Sequence, residues 1–170
     1  MSDAQTTMTL SAARHINAAD GWLDLGDWQS ANEELENVAP QLRAHPAVLE
    51  VRFRVYSAAK NFELALEVAE ALVTLTPHDE NAWISRSFVL HDLNSTQEAY
   101  DLLLPALERF TEEWVVPYNL ACYGCQLGDH ARAGELLALA YERGDAMKIK
   151  LMALDDPDLA PLWQPSSKHA

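Results

Sequence analysis

The sequence has little of what catalysis, secretion or membrane insertion requires. It contains two cysteines and six glycines, and it has no glycine-rich phosphate loop and no GxSxG, HExxH or EF-hand spacing. No apolar run approaches the roughly 18 residues of a membrane span, and the first ten residues lack the basic-then-apolar order of a secretory signal. These absences predict a cytoplasmic protein that is not an enzyme and uses no cofactor.

Positive charge is also scarce. Twelve basic side chains face 26 acidic ones, which gives a formal net charge of −14. Because such a surface repels polyanions, nucleic acid and anionic membrane are poor partners, whereas a basic protein segment would be attracted. A hydrophobic content of 49% is nevertheless enough for a folded domain.

The two cysteines form a CxxC pair, Cys122 and Cys125. Zinc needs three or four ligands, and there is no second CxxC, although His91 could face the pair. The redox form of the motif begins a helix after a strand, whereas this pair lies inside a helical pattern. We interpret both thiols as small packing or groove residues with no metal, and a metal or redox role stays open.

A repeat organises the chain. The turn Leu25-Gly26-Asp27-Trp28 recurs as Leu127-Gly128-Asp129-His130, an offset of three times 34 residues. The two intermediate registers also fall on turn-like sequences, Ala59-Lys60-Asn61-Phe62 and Leu93-Asn94-Ser95-Thr96. A period of 34 residues is typical of paired helices.

Small and apolar residues recur in the same register. One position is alanine in every repeat: Ala31, Ala65, Ala99 and Ala133. Two further positions complete an i, i+4, i+7 apolar stripe on each second helix: Leu35, Ala69, Leu103 and Leu137, then Val38, Leu72, Ala106 and Ala140. This stripe predicts packing against the first helix of the same repeat.

In these features the chain resembles the tetratricopeptide repeat (TPR) family over about residues 12–145, most clearly from Tyr118 to Ala133. The resemblance implies an all-α fold, an alpha-alpha superhelix of four helix-turn-helix repeats plus a C-terminal capping helix. The predicted organisation is a flexible start at 1–10, repeats at about 12–45, 46–79, 80–113 and 114–145, a cap at 146–163 and a flexible tail at 164–170. The predicted helices include 28–43 and 96–110, with a kink at Pro105.

The resemblance also implies a binding surface. In TPR proteins the first helices line the concave groove, with the second, fifth, ninth and twelfth positions of each facing the ligand. The site residues predicted in this way are Ile16, Asp20, Leu23, Glu50, Arg54, Asn81, Ile84, Phe88, His91, Tyr118, Cys122 and Cys125. Since Arg54 is the only arginine or lysine among them, carboxylate-gripping TPR co-chaperones are a poor analogy.

These observations predict a non-catalytic adaptor or scaffold that binds a peptide or an amphipathic helix of another protein in the groove. A basic residue of that partner would lie near Asp20 or Glu50. The alternative is a chaperone-like TPR module of the bacterial secretion type, which would act as a homodimer. Self-association stays open for either function, and neither involves nucleic acid or membrane.

Overall fold

The computed structural model describes residues 8–163, and within that range every regular element is helical. The α-helices are α1 Leu10–Asp24, α2 Trp28–Glu36, α3 Pro46–Ala58, α4 Phe62–Leu75, α5 Glu80–Asp92, α6 Thr96–Leu103, α7 Ala106–Arg109, α8 Val115–Gln126, α9 His130–Arg143 and α10 Ala146–Asp155. Two 3-10 segments, Pro40–Leu42 and Pro157–Leu162, complete the order. None of the helices in this range is long and apolar enough to cross a membrane.

The chain divides into two compact units, Met1–Ala82 and Trp83–Ala170. In unit 1, α1 packs on α2 and α3 packs on α4, and α3 also contacts both α1 and α2. Buried alanine, valine, leucine and isoleucine side chains form a core among α1, α2 and α3, and Leu23 and Tyr56 pack at its edge.

In unit 2, α8 is the central helix. It packs against α9, α6, α7 and the terminal 3-10 segment, while α10 packs on α9. Eight of the nine residues from Val116 to Gly124 are buried, and so is Cys125, whereas Gln126 is exposed. The buried residues lie on all sides of the helix. A helix buried all round is what a central position requires.

The four repeat turns have one backbone geometry. Their second residues all have positive φ: Gly26 at 78°, Lys60 at 55°, Asn94 at 61° and Gly128 at 84°. The N–H of the third turn residue donates to a carbonyl of the preceding helix, as in Asp27 N–H to Trp22 O at 2.9 Å and Asp129 N–H to Gly124 O at 2.9 Å. The register read from the sequence is confirmed, because lysine and asparagine adopt here the left-handed conformation that glycine adopts in the other two turns.

The predicted small-residue position is confirmed as well. The four alanines of the register are fully buried, and the eight residues of the two stripe positions are buried too. Close approach of paired helices requires this, since any larger side chain at the alanine position would separate them.

The prediction of one helix over residues 28–43 is wrong. Helix α2 ends at Glu36 and the chain re-enters a 3-10 turn only at Pro40. A local feature agrees with this break: Ala39 precedes Pro40 and has ψ 136°, because the proline ring disfavours the helical region for the residue before it.

Proline also decides the other two differences. The predicted helix over residues 96–110 is broken where the kink was expected, with α6 ending at Leu103 and α7 starting after Pro105. The predicted cap over residues 146–163 is two pieces, because Asp156, with ψ 116°, precedes Pro157. The predictions of flexibility for 1–10 and 164–170 fall mostly on residues 1–7 and 164–170, which lie outside the described residues.

Candidate functional site

The predicted site residues fall on both units, and each set is described separately. Unit 1 carries the first six of them, called the unit-1 face: Ile16, Asp20, Leu23, Glu50, Arg54 and Asn81. Unit 2 carries the other six, called the unit-2 face: Ile84, Phe88, His91, Tyr118, Cys122 and Cys125.

The unit-1 face is polar, because its apolar side chains pack in or against the core of unit 1. Ile16 is buried in the core and Leu23 packs against that core. The Arg54 guanidinium pairs with the Asp20 carboxylate and lies 3.6 Å from an Asp24 carboxylate oxygen. Both acids therefore share the single guanidinium, and no arginine charge is left over for an anionic ligand.

Glu50 lies in surroundings that disfavour its charged form. Partial burial, and after it the charge of Asp79, raise the pKa of Glu50, and Asp20 adds to the effect while His45 opposes it. A raised carboxyl pKa means that the charged form lacks sufficient compensation. A cationic group placed beside Glu50 would supply that compensation.

The unit-2 face is different, since half of it is covered by the chain itself. Phe88 is 49% exposed, whereas Tyr118, Cys122 and Cys125 are 4–7% exposed. The covering segment is residues 156–163, called the C-terminal strap, which contains the terminal 3-10 segment and packs on α8.

Two carboxylates hold the strap on this face. The Tyr118 hydroxyl donates to Asp156 Oδ2 at 2.8 Å, and the Cys122 thiol lies 3.6 Å from the same oxygen. Asp158 contacts His91 Nε2 at 3.2 Å through Oδ2 and accepts from Gln126 Nε2 at 2.9 Å through Oδ1. The ring of His91 also contacts Thr96 Oγ1 at 3.0 Å through its Nδ1 atom.

Sequence reasoning missed three residues of this arrangement: Gln126, Asp156 and Asp158. Gln126 directly follows the last predicted groove residue of α8 and is exposed. The signal for the two aspartates was their alternation across Pro157, which sets both carboxylates on one short turn. Leu159 directly follows them and is fully buried.

The thiols are poorly suited to chemistry. Burial, followed by the charges of Asp156 and Asp158, raises the pKa of Cys122, and burial followed by the same two charges raises that of Cys125. Both are free cysteines held as neutral thiols, while thiol nucleophiles and metal ligands react as thiolates. Across residues 8–163, no three His, Cys, Asp or Glu side chains are grouped as metal ligands.

Solved structures with this arrangement of helices exist. YrrB, described as a TPR protein with an unusual peptide-binding site, matches with a TM-score of 0.68 and 18% identity over 91% of this chain and 77% of that one. This chain has the tetratricopeptide repeat fold. Two MamA structures agree, the RS-1 ArsTM double mutant at TM-score 0.69 and 19% identity over 87% of this chain and 80% of that one, and the MSR-1 C2 form at 0.67 and 20% over 86% and 82%.

The TPR fold confirms the predicted fold class, an all-α solenoid of paired helices. No model of a known protein family matches the sequence, and neither does any curated protein. The predicted site residues lie on α1, α3, α5 and α8.

Proposed function

We propose that this protein is a non-catalytic adaptor of the cytoplasm that binds a peptide or an amphipathic helix of another protein on the first-helix faces of its TPR fold. The observation that carries the proposal is the exposure of Phe88. Its two following residues, Val89 and Leu90, are buried at 0% and 4%, while the Phe88 side chain is 49% exposed on the same helix. A large aromatic ring held outward by a fixed helix is a typical anchor for a binding partner.

The unit-1 face supports a partner that carries a basic residue. Glu50 lies near Asp20 and Asp79, and the only arginine of the face is paired with acids. A lysine or arginine of the partner would lower the raised pKa of Glu50 and gain an ion pair in return. The net charge of −14 would increase the rate at which such a partner associates.

A second candidate is a chaperone-like TPR module that acts as a homodimer, and it is favoured by one surface. Helix α10 exposes Met147, Leu151 and Leu154, spaced i, i+4, i+7 on its outer side. An apolar ridge of this kind is the sort of surface that self-association covers. This candidate differs from the first because it requires a dimer in solution.

The adaptor proposal is tested with Phe88→Ala, measured by affinity capture from the native lysate and then by titration with the purified partner. Removing the ring should weaken binding of the captured partner at least tenfold, since central aromatic anchors contribute about 2 kcal/mol or more. Tyr118 is left intact, because its hydroxyl is bonded to Asp156.

The matched control is Leu104→Ala, in the same unit and 38% exposed, at the end of the second helix α6. It should leave the same partner bound as in the unaltered chain. A partner that is retained equally by both variants, while both remain fully helical by circular dichroism, would show that the first-helix face of unit 2 is not the binding surface.

A further inference from the structure

The C-terminal strap occupies the positions that the TPR pattern assigns to a ligand. Its contacts are made with Tyr118 and Cys122, the fifth and ninth positions of α8 counted as in the groove prediction, and with His91 at the twelfth position of α5. Helix α10 packs on α9, and the strap contacts α9 and α10 as well, but it packs most extensively on α8. Its contacts with α8 therefore show what this face can recognise.

The recognised pattern is short and specific. Asp156 binds the Tyr118 hydroxyl, Asp158 binds Gln126 and contacts His91, and Leu159 is fully buried directly after them. Two carboxylates, two residues apart and followed by a leucine, therefore meet two amide or hydroxyl donors, an imidazole and an apolar recess. Hydrogen bonds to a charged acceptor are among the stronger polar contacts in proteins.

The strap buries little side-chain surface. Its regular part is a six-residue 3-10 segment, and Leu159 is its one buried residue, while Pro157 is exposed and Trp163 is 41% exposed. Burial and, less strongly, the charge of Asp158 raise the pKa of Asp92, against the opposing effect of His91, so a further carboxylate works against the strap. Segments with one buried side chain open at low cost compared with the fold as a whole.

We propose that the unit-2 face is a receptor for an acidic Asp-x-Asp-Leu segment of a partner protein, and that the strap occupies this receptor in the free chain. The proposal deepens the proposed function and rests on it. The partner segment replaces Asp156, Asp158 and Leu159 on the same donors, and the strap sets the threshold for binding by competing from within the chain.

The test uses the full chain and a labelled peptide with the sequence of residues 155–163, titrated by fluorescence anisotropy. The probe should bind the variant Asp156→Ala, Asp158→Ala about tenfold or more tightly than it binds the unaltered chain. The reason is that apparent affinity is reduced by the fraction of receptors already occupied, and loss of the two carboxylates opens the receptor. A single Asp158→Asn variant should give a smaller gain, and it serves if the double variant loses helicity on circular dichroism.

Two controls identify the receptor. Glu98→Gln with Asp101→Asn removes two exposed acids of α6 and should leave peptide affinity unchanged. Adding Tyr118→Phe to the double variant removes the hydroxyl donor that would bind the peptide's Asp156, and it should reduce the affinity gain several-fold. A peptide with asparagine in place of Asp156 and Asp158 should bind weakly to every variant.

Equal or absent binding of the peptide to the unaltered chain and to the folded strap variants would overturn the receptor proposal and leave the strap as a structural cap. That outcome is independent of Phe88, because the strap carboxylates bond to Tyr118 and Gln126 instead. Peptide failure together with Phe88-dependent capture would thus refute the receptor alone, whereas peptide binding without Phe88-dependent capture would refute the broader groove proposal.

Discussion

Two glycines show how closely the helices of unit 2 are packed. A Cβ added at Gly124 would lie 3.4 Å from the Ala133 Cβ, which is the contact between α8 and α9. A Cβ added at Gly144 would lie 2.8 Å from Trp114 Cγ and 2.7 Å from Ile149 Cδ1. Distances below 3.0 Å require something to move, so the absence of a side chain at Gly144 is what lets the link between α9 and α10 pass over the Trp114 ring.

Gly144→Ala is therefore expected to destabilise the protein by about 1–3 kcal/mol, because the new Cβ would crowd Trp114 Cβ and Cγ, which lie next to the backbone and not at the end of a flexible side chain. The matched control is Gly134→Ala inside α9, where nothing lies within 4 Å of the new Cβ. That change should stabilise by up to about 1 kcal/mol, since alanine is the better helix former. Urea unfolding measures both, and equal effects of the two variants would contradict the packing argument.

Three of the four second helices begin with the same side-chain cap. Asp27 accepts from the Ser30 N–H at 3.0 Å, Asn61 from Leu64 at 3.3 Å and Asp129 from Arg132 at 3.1 Å. These hydrogen bonds satisfy amide groups that the helix leaves without partners. The backbone bond from Ser30, and next its side-chain bond, lower the pKa of Asp27, so the contribution of this cap is complete above the usual aspartate pKa and is lost as the pH falls through the lowered value.

Ser95 occupies the same position before α6 but makes no side-chain cap bond. Asp129→Ala should therefore cost about 0.5–2 kcal/mol of unfolding free energy, while Ser95→Ala should cost little. Urea denaturation at pH 7 followed by circular dichroism checks the pair. If Ser95→Ala is as costly as Asp129→Ala, the hydrogen bonds described for the second helices do not account for their stability.

The whole molecule carries a charge of −14, and part of it is arranged unfavourably. Helix α4 has Glu63, Glu67 and Glu70 at spacings of four and three along the chain. Like charges at these spacings repel one another along a helix by a few tenths of a kcal/mol for each pair. The stability of the chain should therefore depend on ionic strength.

Glu67→Lys replaces both repulsive pairs with attractive ones, and it should raise the unfolding free energy by about 0.5–1 kcal/mol at low salt. In 0.5 M NaCl the gain should shrink, because at this salt concentration interactions between exposed charges are screened beyond a few ångströms. The neutral variant Glu67→Gln should give an intermediate gain. Thermal unfolding at the two salt concentrations provides the measurement, and a gain that does not change with salt would exclude this electrostatic origin.

The sequence by itself determined the repeat. Period, turn chemistry and the alanine position are local properties, and a turn such as Leu93-Asn94-Ser95-Thr96 could be assigned because asparagine tolerates the conformation that glycine adopts elsewhere. Helix ends are also determined locally where a proline sets them, and Ala39 before Pro40 is an example. The apolar stripe nevertheless continues to Val38, beyond the end of α2.

Only the tertiary structure decided which predicted site residues face solvent. Ile16 and Leu23 match the groove positions but pack in the core of unit 1. Tyr118, Cys122 and Cys125 match them too but are buried, and the strap contacts the first two. Asp156 lies 38 residues beyond Tyr118 in sequence, yet its carboxylate is 2.8 Å from the Tyr118 hydroxyl. A periodic sequence pattern predicts the direction in which a side chain leaves its own helix. Whether that side chain is buried depends on which distant segment of the chain packs against it, and the pattern does not contain that information.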